Sequence, residues 1–200
     1  MPSASETYLE RLWKIFKQAT GWDGQGTAPA SVTLSTSFGA GENHLGAVGG
    51  HTDIIDVTVL MTLHATYVAN DFVGLSGVPL TFAGCARKNG GTGLIVSAEL
   101  IDYALQSVAG ELWLFNTPIV PPADSAAWTI TDAELLTLVC VIPFSTYYAS
   151  ALNSASPVGN LTYPFKCRAT STSLSGAFVT RGAPAYNSGD VTFRLGVLQD

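Results

Sequence analysis

The sequence predicts an all-β protein, an antiparallel β-sandwich or jelly roll with a short N-terminal amphipathic helix. Three observations carry this expectation. Over residues 54–200, short runs rich in Val, Ile, Leu, Thr, Phe and Tyr alternate with turn-forming clusters. Helical patterning is confined to residues 3–20 and to one short stretch near 131–138. A chain of 200 residues also buries about 70% of its unfolded surface, so it needs neither metal nor disulfide staples.

The elements follow in order. Ser3 lies three residues before Glu6, the spacing of a capping box. Tyr8, Leu9, Leu12, Trp13 and Phe16 then recur at helical spacing, with Glu10, Arg11, Lys14 and Lys17 on the other face and Gly21 as the stop. Residues 21–53 are rich in Gly, Ser, Thr and Ala and read as a long connection. Strands are predicted at 54–67, 79–82, 94–105, 110–115, 138–143, 160–167, 174–180 and 191–198. The turn clusters are NGG at 89–91, PP at 121–122, NSASP at 153–157 and NSG at 187–189. Thr131 is placed to cap a helix over 131–138. Tyr67 to Asp71 and Tyr186 to Asp190 share the pattern Y-x-x-x-D, which reads as a strand end followed by an Asp-stabilised turn. The expected organisation is therefore a helical arm at 1–20, a connection at 21–53 and a β body at 54–200.

Composition narrows the partners. Hydrophobic residues make up 47% and charged residues 12%, about half the usual charged share of roughly 25%. Such a surface suits a subunit packed among neighbours. The formal net charge is −6, and no basic run is longer than Arg87-Lys88. Nucleic acid, whose phosphates need a basic field, is not expected as a partner. Apolar stretches fall short of the ~20 residues of a membrane span, and no secretory signal is visible, so a cytoplasmic origin is expected. Cys85, Cys140 and Cys167 are widely spaced and odd in number, which predicts buried free thiols rather than a disulfide framework or zinc site.

The stretch RKNGGTG at 87–93 superficially suggests a phosphate cradle. A phosphate loop works by delivering its ligand to a helix N-terminus, where backbone N–H groups converge. A Walker loop also ends in G-K-[ST]. Here Leu94-Ile95-Val96 follow the glycines. Asn89-Gly90 instead predicts the tight turn of a hairpin.

Other chemical patterns are equally bare. His44, His51, Asp53 and Asp56 lie close in sequence but match no tight metal-ligand spacing, and His64 stands apart. Gly74-Leu75-Ser76-Gly77-Val78 misses G-x-S-x-G by one residue. No close carboxylate pair sits in an aromatic-lined segment. The expectation is a protein with no catalytic residues, cofactor or metal.

Two stretches carry a resemblance. The first, LTFAGCARKNGGTGLIVSAELID at 80–102, is marked by Ala86-Arg87, Gly90-Gly91-Thr92-Gly93, Ser97 and Asp102. The second, FKCRATSTSLSGAFVTRGAPAYNSGDVTFRLGVLQD, runs from 165 to 200. Together with the strand, Pro-rich loop and Asp-led helix between them, they resemble tailed-bacteriophage virion proteins of the capsid decoration, or cement, type. The resemblance spans roughly 55–200 and rests on turns and strands, so it specifies a fold more than a function.

The resemblance implies a non-enzymatic β-sandwich subunit on a capsid surface, with the major capsid protein and its own copies, as a homotrimer, for partners. A receptor- or glycan-binding module of a head or tail fibre is the rival, with Trp113, Trp128, Tyr147 and Tyr148 as candidate sugar contacts. The N-terminal helix has its own expected role. Its stripe of Tyr8, Leu9, Leu12, Trp13 and Phe16 needs a partner, because a free helix of this length is marginal in water. Its connection is roughly 30 residues long, against 4–6 in a compact domain. The stripe is thus a candidate protein interface on a neighbouring chain, with docking back onto its own β body as the alternative.

Overall fold

The computed structural model describes residues 51–62 and 65–200. The predicted helix over 3–20, with Tyr8, Leu9, Leu12, Trp13 and Phe16, lies outside those residues, as does most of the 21–53 connection. The described chain is nearly all β, and its paired strands are antiparallel throughout.

The first sheet is built on two long strands, β1 (His51–Thr58) and β5 (Thr92–Asp102), with β13 (Val191–Gln199) between them. Thirteen strands are numbered in chain order among the described residues. β13 occupies one edge of β5 along nearly its whole length, from Asp102 to Gly93. β9 (Ser154–Val158) and β10 (Tyr163–Lys166) therefore share the other edge, β9 on residues 98–102 and β10 on residues 92–95. β8 (Tyr148–Ala149) pairs with β9.

The register between β13 and β5 shifts at Gly196, which leaves Val96 as an extra residue. The Val96 carbonyl accepts the Leu161 N–H at 3.0 Å. The bulge thus sits where β5 changes partner, and it bends the strand there. A Cβ on Gly196 would stand 2.2 Å from Ser97 Oγ, so a side chain there would force Ser97 to turn its hydroxyl away.

The second sheet centres on β11 (Leu174–Thr180). β6 (Gly110–Phe115) pairs along one edge of it, and β3 (Phe72–Val73) and β4 (Leu80–Phe82) share the other. β7 (Leu138–Phe144) completes the sheet beside β6. A two-stranded pair, β2 (Ala65–Thr66) with β12 (Ala185–Tyr186), stands apart.

The side-chain period of two decides which residues enter the core. Leu112 and Leu114 of β6 are fully buried with Ile142 and Phe144 of β7 and Leu100, Phe193, Leu195 and Val197 of the first sheet. The Phe193 ring meets Phe178 of β11 edge-on, centroids 5.1 Å apart, and lies 5.6 Å from Phe144. Aromatic side chains from the two sheets thus share one apolar core. Each such ring pair contributes about 0.5–1.5 kcal/mol beyond burial.

Several expectations meet the coordinates closely. Strands 110–115 and 174–180 match β6 and β11. Thr131 caps helix α1 (Asp132–Leu135) in a full capping box: its Oγ1 accepts the Glu134 N–H at 3.2 Å, and Glu134 Oε2 accepts the Thr131 N–H at 3.0 Å. The helix is one turn rather than the predicted 131–138, because Leu138 is already paired to Phe115. The two Y-x-x-x-D segments are the same device used twice. Asp71 Oδ2 accepts the Val68 N–H at 2.9 Å, and Asp190 Oδ2 accepts the Asn187 N–H at 2.6 Å. Tyr67 and Tyr186 are both fully buried, their rings 6.5 Å apart.

Others need correction. The 54–67 run is not one strand: β1 starts earlier, at His51, and stops at Thr58. NSASP at 153–157, read as a turn, is mostly β9, with Pro157 opposite Glu99. Pro is tolerated there because β8 reaches only Ser154 and Ala155 on the far edge. Asn89-Gly90 does form a tight turn, with Gly91 N–H donating to Lys88 O at 2.9 Å and positive φ at Gly90. It is not a hairpin, since β4 and β5 belong to different sheets; the loop over 83–91 carries the chain from one sheet to the other.

Candidate binding face

The outward side of the second sheet holds the densest group of distinctive side chains. On β6, Glu111, Trp113 and Phe115 alternate with the core leucines. On β11, Ser175 and Ala177 alternate with Leu174 and Phe178. The loop over 116–131 packs on this side, burying Ile119 against Phe72, Phe115 and Ala177. That cover explains why all seven residues of β11 are buried, as in a strand covered on both faces.

Asp124 anchors the loop. Its Oδ1 accepts the Tyr67 hydroxyl at 2.9 Å and the Gly74 N–H at 3.3 Å, and its own N–H donates to Ser76 Oγ at 3.0 Å. Burial, then the Asp124 contact, pushes the Tyr67 phenol far up, so it stays a donor. Ser76, the near-miss nucleophile of the sequence, thus holds a loop. Further along, Trp128 N–H donates to Asn70 O at 2.7 Å, and the Trp128 ring stacks on Phe72 at 6.1 Å and tilts against Trp113 at 5.8 Å.

Charge borders this aromatic group. Arg181 pairs with Glu111 and also donates to Asn70 Oδ1. Glu111 Oε2 accepts from Trp113 Nε1 at 3.0 Å. The Arg181 hydrogen bond holds the Glu111 carboxyl below the ordinary carboxylate range, against the opposing effect of partial burial, and Trp113 adds to it.

Two buried polar atoms on this side have no partner: Trp128 Nε1 and Ser175 Oγ. Ser175, 6% exposed, lines a cleft of about 150 Å³ with Thr81, Asn116, Thr117, Ser171 and Ser173. Unsatisfied buried polar atoms are uncommon in native structures.

The sequence candidates distribute unevenly. Trp113 and Trp128 of the sugar-contact set come together. Tyr147 and Tyr148 do not join them: the Tyr147 hydroxyl donates to Val108 O at 2.5 Å, and Tyr148 is exposed on β8. His44 and His64 lie outside the described residues. His51 and Asp53 fall on one side of β1 and Asp56 on the other, and Asp56 is engaged by Arg194 at 2.9 and 3.1 Å. Among the described residues no group of three or more His, Cys, Asp or Glu is placed to hold a metal.

In RKNGGTG, the Gly90 N–H donates to Ser171 O and the Gly91 N–H to Lys88 O. These donors are committed within the chain, and β5 follows, so the loop has no cradle of free amides at a helix end. All three cysteines are buried free thiols. Sequence reading missed Glu111, Arg181 and the Ser175 cleft. Only the hydroxyl-rich run TSTSLS at 170–175 hinted at the last.

No protein-family model matches the chain, and no curated protein is measurably similar to it. Among the described residues no helix is long and apolar enough to cross a membrane.

Proposed function

We propose that this chain is a jelly-roll structural subunit of a bacteriophage virion that decorates and stabilises the capsid. The observation that carries the reading is the order of strand pairing. Take β3 with β4 as one position and β9 with β10 as another. Eight principal strands then follow in chain order: β1, β3/β4, β5, β6, β7, β9/β10, β11 and β13. The first pairs with the eighth, the second with the seventh, the third with the sixth and the fourth with the fifth. That is a single antiparallel ribbon. Rolling it brings β13 beside β5 and β11 beside β6. A rolled ribbon of eight strands in two sheets is the jelly-roll arrangement, which serves viral capsid and lectin domains among others.

The fold alone leaves several functions open; the resemblance favours the virion. The two resembling stretches correspond to β4 through β5 and to β10 through β13, and they are neighbours in space, since β5 pairs with both β10 and β13. Val120, Leu136, Tyr148 and Leu152 are each more than half exposed, at 76, 89, 69 and 80%, which leaves apolar side chains available to a neighbouring subunit. The mechanism is mass action. A subunit that binds only the assembled shell stabilises it by about 4 kcal/mol per site at ligand concentrations 1,000 times Kd. Self-association as a trimer would add avidity across adjacent capsomers. No catalytic step or cofactor is part of this reading, and its partners are the major capsid protein and its own copies. The test is sedimentation of purified protein with capsids that lack it. Saturable binding with a raised capsid melting temperature is expected; absence of binding to mature capsids of the source virus would overturn the proposal.

One observation favours the rival reading, a receptor- or glycan-binding module. Trp113 and Trp128, distant in sequence, meet beside Glu111 and Arg181, and aromatic faces flanked by hydrogen-bonding groups suit sugar rings.

A further inference from the structure

We infer that the open edge of β1 is a self-pairing surface, on which β1 of a second copy adds antiparallel about a two-fold axis at Ile55 to make one continuous sheet. The argument begins with the edges of the two sheets. An edge strand offers unpaired N–H and C=O groups to any extended chain, and proteins blunt such edges with proline, lysine or brevity. β7 carries Pro143, β9 carries Pro157 and β10 carries Pro164. β3, β4 and β8 are only two or three residues long. β1 is eight residues long, HTDIIDVT, and holds neither proline nor lysine. Among the described residues it pairs with β13 alone.

Two hydrogen bonds fix which backbone groups face outward. Val59 N–H donates to Val191 O at 2.8 Å. By the period of two, residues 51, 53, 55 and 57 also turn their N–H and C=O toward β13. Thr52, Ile54, Asp56 and Thr58 turn theirs to the open side, and all four are exposed. Ile54 agrees with this phase, since its N–H donates to the adjacent Asp53 Oδ1 at 2.8 Å rather than to the ladder.

Charge then selects the register. Residues that bond across the edge must both face outward, so a two-fold axis falls on one residue of β1. An axis at Asp53 or at Asp56 would set that carboxylate opposite its own copy, which is destabilising. An axis at Ile54 would engage Thr52, Ile54 and Asp56 but leave Thr58 without a partner in β1. An axis at Ile55 engages all four outward residues. It sets Thr52 opposite the partner's Thr58, Ile54 opposite the partner's Asp56, and Ile55 opposite the partner's Ile55. Threonine pairs and β-branched pairs are favourable across strands, and no carboxylate faces another. Asp56 already holds Arg194 at 2.9 and 3.1 Å, which limits repulsion between two acidic copies. Ile54, 56% exposed, gains a neighbour, and its N–H passes from Asp53 to the partner strand.

The test is residue-resolved amide deuterium exchange on the full chain from micromolar to millimolar concentration, beside sedimentation velocity. A reversible dimer is expected. Protection at Thr52, Ile54, Asp56 and Thr58 should rise with the dimer fraction, while Asp53, Ile55 and Val57 stay protected throughout. Ile54→Pro removes an outward N–H that the β13 ladder does not use. It should keep the parent's cooperative melting and weaken association about tenfold or more; Ile54→Thr, which keeps the N–H, should weaken it far less. A strict monomer at every concentration, an association that leaves the four amides unprotected, or equal association by Ile54→Pro overturns the inference. Protection of the four at the lowest concentration also overturns it, because another part of the chain would then fill the edge. Should Ile54→Pro fail to fold, the exchange pattern of the parent decides alone. The inference does not rest on the capsid reading: capsid binding by a chain whose β1 stays unpaired would sink the one and leave the other standing.

Discussion

Phe193→Ala is the sharpest probe of how the two sheets meet. Phe193 lies on β13, between β1 and β5, and is fully buried. Its ring touches Phe178 at 5.1 Å with an interplanar angle of 74°, and Phe144 at 5.6 Å, both from the opposite sheet. Truncating a buried Phe costs about 3–5 kcal/mol, the larger values where the cavity cannot collapse. The two rings it leaves behind are buried on strands paired to β6, so the upper half of that range applies, about 4–5 kcal/mol.

That is about a quarter or more of the roughly 5–15 kcal/mol total stability of a domain. At about 2–4 °C per kcal/mol for a chain of this length, melting falls by roughly 8–20 °C. Urea unfolding reads the change as a lower midpoint with an unchanged slope. A double-mutant cycle with Phe178→Ala isolates the ring pair and should return about 0.5–1.5 kcal/mol of coupling. A loss under about 1.5 kcal/mol for Phe193→Ala, or strict additivity in the cycle, would mean that the two sheets do not share this contact.

Three further outcomes are expected. Glu111 has its pKa lowered in the fold by Arg181, so its contribution is present above the unfolded carboxylate range near ~4.3 and is lost as pH falls through the folded value; Glu111→Gln should flatten the acid limb of a stability–pH profile, and an unaltered limb would count against the pair. Burial pushes the Cys85 and Cys140 thiols up to about 12 and raises Cys167 as well, so a thiol reagent at pH 8 should label the native protein slowly and all three cysteines once it is denatured; rapid native labelling would contradict the packing. Val120 and Leu136 are largely exposed, so Val120→Lys combined with Leu136→Glu should leave folding stability within about 1 kcal/mol of the parent while reducing self-association in sedimentation velocity, and unchanged association would place the contact elsewhere.

What was legible in the sequence was local. GELWLF and LSGAFVT announce β6 and β11 because their alternation and β-branched or aromatic content need no partner to be recognised. Thr131 and Glu134 announce a helix start for the same reason, but not its length, which Leu138 pairing with Phe115 decides. Ser-Ala-Ser-Pro hid β9, because its strand character comes from β5 beside it rather than from its own propensities. The run beyond Thr58 read as strand from its own Val, Leu and Thr content; the fold keeps one strand-like bond there, from Val59 N–H to Val191 O at 2.8 Å, although the β1 ladder ends at Thr58. The candidate face was less legible still. Trp113 and Trp128 meet only because the loop over 116–131 folds back over β6, and the isolation of the Ser175 hydroxyl depends on what β4 and β6 place around it. Sequence shows that a serine is present, not that its neighbours leave it unpaired.

The proposed role as a capsid decoration subunit sets how many copies a particle carries. Copy number in purified virions, by gel densitometry against the major shell protein, tests that role most directly. A number comparable to that of the shell protein and reproducible between preparations is expected. A chain present only in the small number expected of a fibre or tail component, or absent from the particle, would contradict it.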